Sequence, residues 1–114
     1  MKRDMELIRL LLLRVEGESD TDLSKYDNAT LWYHRNLLIE ANYAVGAKAQ
    51  ASNNVIVVHE LSRLTWEGHE FLDAIRDQRV WDSLKKKFDG FRTSFTFPLL
   101  KDVAVSIIRQ SILG

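Results

Sequence analysis

The sequence of 114 residues predicts a mostly helical α+β fold in which one short β-hairpin is inserted between helices. Apolar residues recur at helical spacing through several segments, and this pattern predicts the helices. Between residues 43 and 58 the period changes to an alternation of apolar and other residues around Asn53-Asn54, which predicts the hairpin. The composition, 46% hydrophobic and 28% charged with one proline, is typical of a globular domain.

The first helix is expected from Met1 to Glu16, and Gly17 supplies a stop just past its end. Its core-facing residues are Met5, Leu7, Ile8, Leu11, Leu12 and Val15. Leu10 and Leu13 project to the opposite face, among the charged residues Arg3, Glu6, Arg9 and Arg14. We expect another part of the chain, or a second molecule, to cover these two leucines.

A polar connection from Glu18 to Asp27 precedes a second helix, which Asp27 or Asn28 caps and which extends to about Asn42. The core-facing residues expected on this helix are Leu31, His34, Leu38 and Ala41. The hairpin follows, with its first strand in the range 43–51 and its return strand beginning at 55–58. Asparagine suits the turn because it tolerates positive φ angles.

Three more helices complete the chain. Thr65 caps the third helix, the fourth ends at Gly90, and Pro98 opens the fifth. The apolar stripe of the fifth helix is broader than one neighbouring helix would cover, and it comprises Leu100, Val103, Ala104, Val105, Ile107, Ile108 and Ile112. Since no repeat or linker divides the sequence, we expect a single domain over residues 1–114, with residues 78–114 as a helical C-terminal extension.

The order helix, connection, helix, hairpin, helix is that of a winged helix, in which the hairpin forms the wing. The segment 37–43 (LLIEANY) resembles the end of a recognition helix, and the segment 63–72 (RLTWEGHEFL) resembles the return strand and helix cap after a wing. With the segments 1–4 and 74–81, they resemble the domain-of-unknown-function family twenty-five-thirteen (DUF2513), small winged-helix-like proteins often found in bacterial prophages. The resemblance covers nearly the whole chain and implies a fold rather than an activity.

The sequence contains no pattern that indicates catalysis or metal binding. The absence of cysteine excludes disulfides, thiolate nucleophiles and the common structural zinc sites. His34, His59 and His69 belong to different elements, and we expect a half-buried His34 and two surface histidines. The five glycines are scattered and form no phosphate-binding loop. We therefore expect a protein without enzymatic activity, metal or cofactor.

DNA binding is the alternative function that the winged-helix resemblance implies. Trp32, Tyr33 and Asn36 would lie on the outer face of the second helix with Arg35 at its side, and Lys48 would lie on the wing. From Glu16 to Glu40, however, six acidic residues stand against two basic ones, so the segment has a net charge of −4. Repulsion from phosphates would oppose its entry into a groove.

Protein binding is the leading expectation, because the sequence contains more apolar surface than one small core requires. The expected interface residues are Leu10, Leu13, Ile39, Val105, Ile107, Ile108 and Ile112. Either the last helix folds over the first within one chain, or the two helices form an isologous homodimer.

The function we expect is that of a prophage-type accessory or regulatory protein that binds itself or a host factor, such as a component of host defence. The longest apolar run is too short to span a bilayer, and the N-terminus is unlike a signal peptide. These features favour a cytoplasmic protein without membrane contact.

Overall fold

The computed structural model describes residues 1–17, 21–51 and 53–113 and confirms the mostly helical α+β fold. Its elements in chain order are α1 (Met5–Val15), α2 (Asn28–Glu40), β1 (Ala44–Gly46), β2 (Ala49–Gln50), β3 (Ile56–Val57), β4 (Leu61–Leu64), α3 (Trp66–Ile75), α4 (Gln78–Lys87) and α5 (Phe97–Leu113). Residues 18–20 of the expected polar connection and residue 52 at the wing tip lie outside the described residues. Of the helices in the described ranges, none has the length and apolarity needed to cross a membrane.

The chain forms two compact units, Met1–His69 and Glu70–Gly114, which divide within α3. The first unit contains α1, α2 and all four strands, and the second contains α4 and α5. The expectation of a single domain with an extension from residue 78 stays a prediction.

Helix α1 begins at a capping aspartate and buries the apolar stripe that the sequence predicts. The Asp4 carboxylate accepts a hydrogen bond from the Leu7 amide at 3.2 Å. Of the predicted stripe, Val15 alone is only partly buried. The solvent-facing position expected for Arg9 is wrong, since its side chain is 8% exposed. A long arginine stem can lie along apolar surface while its guanidinium finds polar partners, which helical spacing alone does not reveal.

His34 links the beginning of α1 to α2. Its Nε2 accepts a hydrogen bond from the Asp4 amide at 2.8 Å, and its Nδ1 donates to the Thr30 carbonyl at 2.8 Å. The ring is completely buried, whereas a half-buried ring was expected. Because both ring nitrogens have partners, burial leaves no polar group of the imidazole without a hydrogen bond.

Helix α2 begins and ends through local interactions. The Asp27 carboxylate accepts a hydrogen bond from the Thr30 amide at 2.8 Å, as the sequence predicts for a capping residue. The helix ends at Glu40, because Ala41 is its C-cap and Asn42 adopts a left-handed conformation with a φ of 64°. Ala41 is consequently exposed, and its expected place in the core is wrong.

The expected hairpin is present as two short antiparallel pairs rather than one continuous ladder. Strand β1 pairs with β4, and β2 pairs with β3 nearer the tip. The register of the first pair shifts between Val45 and Gly46, which interrupts the regular pairing. Asn54 has a φ of 66°, in agreement with a turn that tolerates positive φ, and its amide donates to the Ala51 carbonyl at 2.9 Å.

The start of α3 is fixed against the end of α2. Thr65 Oγ1 accepts a hydrogen bond from the Gly68 amide at 3.0 Å and donates to the Asn42 carbonyl at 2.6 Å. The Thr65 amide donates to the Tyr43 carbonyl at 3.1 Å. A Cβ added at Gly68 would overlap that same Tyr43 carbonyl oxygen. Because of this close approach, the backbone requires a glycine at position 68. The segment 63–72 therefore reflects a requirement of the fold rather than of an activity.

The second unit is built on two capped helices. Asp77 caps α4 by accepting a hydrogen bond from the Arg79 amide at 2.8 Å, and the turn after α4 closes through Gly90, whose φ is 65°. Helix α5 begins one residue before Pro98, with Thr96 Oγ1 accepting from the Leu99 amide at 3.3 Å. The fully buried apolar residues are Phe71, Leu72, Ile75, Trp81, Leu84, Leu100 and Ala104.

Replacing His34 by leucine is expected to lower the free energy of unfolding by about 1–3 kcal/mol, because the Asp4 amide loses its acceptor in a partly buried position. Urea denaturation monitored by circular dichroism measures the difference. His59→Leu is the matched control, since His59 is exposed and such a change shifts stability by only about 0.5 kcal/mol. Equal destabilisation by the two substitutions would contradict the role of His34.

Gly68→Ala is expected to destabilise the protein by roughly 3 kcal/mol, at the upper end of the cost of overpacking, since the new methyl group meets backbone rather than a movable side chain. Alanine otherwise favours a helix over glycine, so helix propensity predicts the opposite sign. Thermal denaturation decides between them. The exposed neighbour Glu67→Ala serves as a control, and a Gly68→Ala protein as stable as the parent would refute the contact.

Candidate functional site

Three of the side chains expected to contact DNA take part in contacts within the first unit. The Trp32 ring meets the His59 ring edge-on, with centroids 6.2 Å apart, and the Tyr33 ring meets His34 at 5.2 Å. Asn36 Nδ2 donates to Glu40 Oε1 at 2.9 Å, so its amide faces an acidic group. Both aromatic rings and Asn36 are partly exposed. An outer face of α2 therefore exists. Asn36 Nδ2 is engaged by Glu40, whereas Asn36 Oδ1 has no hydrogen-bond partner among the described residues.

Arg35 does not lie beside that face, so its expected placement at the surface is wrong. Its side chain is 7% exposed, and Nη1 donates to the Val58 carbonyl at 3.1 Å. Burial lowers the pKa of Arg35, the negative charge of Glu60 raises it, and the positive charge of Arg14 lowers it. Lys48, in contrast, is exposed.

A shallow groove in the second unit contains three of the expected interface residues. Ile107, Ile108 and Ile112 of α5 line it, and its volume is about 370 Å³. Ile112 is 76% exposed. The remaining lining residues are Asp77, Arg79, Val80, Ser83 and Ser111. The α4 side of this groove was not predicted from the sequence, although Val80 and Ser83 lie three apart on one helix face.

The other expected interface residues do not line this groove. Val105 of α5 is half-buried. Leu10, Leu13 and Ile39 belong to the first unit, where each is also half-buried. That an intramolecular or an intermolecular partner covers the two leucines stays a prediction.

The three histidines occupy separate environments. His34 is in the interior, His59 contacts Trp32, and His69 Nδ1 lies 2.9 Å from Glu16 Oε1. Within residues 1–17, 21–51 and 53–113, no three or more His, Asp or Glu side chains come together in a group that could hold a metal ion.

These features define a small α+β protein. It consists of two units whose helices begin at capping residues, and a hairpin lies between its second and third helices. The chain belongs to the family DUF2513, described as "Hypothetical protein", whose family model matches residues 2–93. An "Uncharacterized protein" of Haemophilus influenzae (strain Rd) is 34% identical over 117 residues, which cover 96% of this chain and 98% of that protein. No solved structure matches the chain significantly. The family match ends before α5, whereas the match to the relative covers almost all of the chain.

Arg35→Ala is expected to lower the free energy of unfolding by about 2 kcal/mol without any ligand, because the buried stem loses packing and the Val58 carbonyl loses its donor. Lys48→Ala, at an exposed position, is expected to change it by at most about 0.5 kcal/mol. Chemical denaturation of the two variants provides the comparison. An Arg35→Ala protein with parental stability would show that the guanidinium belongs at the surface after all.

Proposed function

We propose that this protein is a non-enzymatic accessory or regulatory protein of the kind that prophages encode, which acts in the cytoplasm through protein contacts. Its first partner is a second copy of the chain, bound through the groove between α4 and α5. The single observation that carries this proposal is the exposure of Ile112 on the rim of an isoleucine-lined groove.

The apolar side chains favour association. Removing an isoleucine side chain from water contributes about 1.5–3 kcal/mol relative to leaving it exposed. In an isologous dimer the same residue is buried twice, once on each copy. One exposed isoleucine therefore contributes twice to the free energy of association. Ile107 and Ile108, which are only partly exposed, would supply the adjoining apolar surface.

The charges at the groove favour a second copy over an unrelated partner. Asp77 and Arg79 both line it, and their side chains lie 3.5 Å apart at Oδ2 and Nη2. A two-fold axis perpendicular to the line that joins these two charges would place each of them near its opposite on the other copy. In that orientation the surface is complementary to itself, whereas a strongly acidic or basic partner would leave one of the two charges opposed.

A winged-helix DNA-binding regulator is the second candidate, favoured by the order of α1, α2, the paired strands and α3. The local chemistry supports it less. Arg35 donates a hydrogen bond to the Val58 carbonyl, and the Asn36 amide donates to Glu40. Of the five expected contact residues, Lys48 is the exposed basic one. The net charge of −4 from Glu16 to Glu40 also opposes contact with phosphates.

Ile112→Glu is expected to weaken self-association at least about tenfold, because two buried carboxylates would replace two buried isoleucines. Sedimentation equilibrium over a range of protein concentrations measures the dimer dissociation constant. Ser106→Glu adds the same charge at an exposed position of α5 that does not line the groove, and it is expected to leave the constant unchanged.

A monomeric parent protein at every concentration would overturn the self-association proposal, as would equal weakening by the two glutamate substitutions. Binding to mixed-sequence duplex DNA at low and physiological salt tests the second candidate. Tight binding with a steep salt dependence, weakened by Lys48→Ala, would favour the DNA-binding regulator over the dimer.

A further inference from the structure

The first unit also contains a small cavity. Its volume is about 180 Å³. The residues that line it are Leu11, Arg14, Val15, Arg35, Glu60 and Leu61. Two arginines therefore meet an apolar wall in a concave space, a combination that suits a ligand with one charged end and one apolar end.

Arg35 supplies a buried positive charge with unused hydrogen-bonding capacity. The guanidinium carries five N–H donors, and Arg35 is only 7% exposed. Among the residues that the structure describes, its hydrogen-bond partner is the Val58 carbonyl, which accepts from Nη1 at 3.1 Å. Glu60 is the ionic neighbour of Arg35 in this cavity, and the remaining donors can also bind an oxyanion there.

The neighbouring charges indicate how much negative charge the cavity suits. Arg14 lines the same cavity, and its positive charge lowers the pKa of Arg35, which means that the two guanidinium groups repel each other there. Glu60 offsets one of the two positive charges. The lining residues thus have a net charge of +1, which matches a monoanion better than a phosphate dianion.

The apolar wall indicates the rest of the ligand. Leu11 is 1% exposed and Leu61 is 8% exposed, so both are firmly held in the core and form a fixed boundary. Val15 is partly exposed and completes the wall. Because Leu11 and Leu61 are already shielded from water, a hydrocarbon chain of a few carbon atoms would replace water mainly against Val15.

We propose that this cavity binds a small monocarboxylate with a short aliphatic chain. The planar guanidinium of Arg35 binds the carboxylate oxygens together with Arg14, and the chain packs against Leu11, Val15 and Leu61. The site belongs to the first unit and is independent of the proposed dimer groove in the second.

Isovalerate is the test ligand, since its branched chain and single carboxylate fit this description. Titration of the ¹⁵N-labelled full chain, followed by amide chemical shifts, is expected to show saturable binding with a Kd of roughly 1 mM or tighter and shifts centred on Arg35 and Leu61. Arg14→Gln is expected to weaken binding at least about tenfold, because a charged hydrogen bond is lost. Arg14 is an exposed residue, so this substitution leaves the core intact.

Three controls separate this site from nonspecific binding. Lys48→Gln removes an exposed positive charge in the same unit and is expected to leave the Kd unchanged. Isovaleramide has the same shape without the charge and is expected not to bind. Inorganic phosphate is expected to bind more weakly than isovalerate, and Glu60→Gln is expected to strengthen phosphate binding by removing the negative charge.

Several results would overturn the proposal. These are the absence of saturable isovalerate binding, equal binding of the amide, tighter binding of phosphate than of isovalerate by the parent chain, or equal weakening by Arg14→Gln and Lys48→Gln. None of these outcomes depends on the oligomeric state, because the dimer test uses residues of α5 alone.

Discussion

The contact between the end of α2 and the start of α3 is the constraint on which the first unit depends. Thr65 uses its hydroxyl and its amide to bind the Asn42 and Tyr43 carbonyls, and Gly68 allows the backbones to approach. Ala44 pairs with Leu64 immediately beside this contact, so the same hydrogen bonds fix where the strands begin. Helices and hairpin are thereby set by backbone groups that would otherwise lack partners.

The burial of Arg35 changes what the α2 region offers to a partner. In a DNA-binding helix, an arginine gains affinity by leaving water for a phosphate or a base edge. Here Arg35 is already buried, and its hydrogen bond to the Val58 carbonyl connects α2 to the segment between β3 and β4. The positive charge therefore serves the interior of the first unit and the cavity beside it, which gives that region a capacity for a small anion rather than for a long polyanion.

The two units provide different kinds of surface. In the first unit the candidate site is a small charged cavity, whereas in the second unit it is a shallow groove lined by isoleucines. A largely buried charge such as that of Arg35 favours specificity for one ligand group, because desolvation strengthens the interaction. An open apolar groove favours association with another protein surface. Since the groove includes α5, which follows the segment that the family model matches, the surface proposed for association lies partly outside that segment.

The sequence by itself determined the features that depend on neighbours within a few residues: the helices, the caps at Asp27 and Thr65, the turn at Asn54 and the stop at Gly90. Periodicity and capping are local, so they can be read without a fold. Tertiary structure alone decided the burial of Arg35 and the complete rather than partial burial of His34, whose partners lie 23 and 30 residues away in the chain. It also decided that Gly68 must have no side chain. Such choices depend on which backbone atoms approach from distant segments, and one sequence does not state those distances.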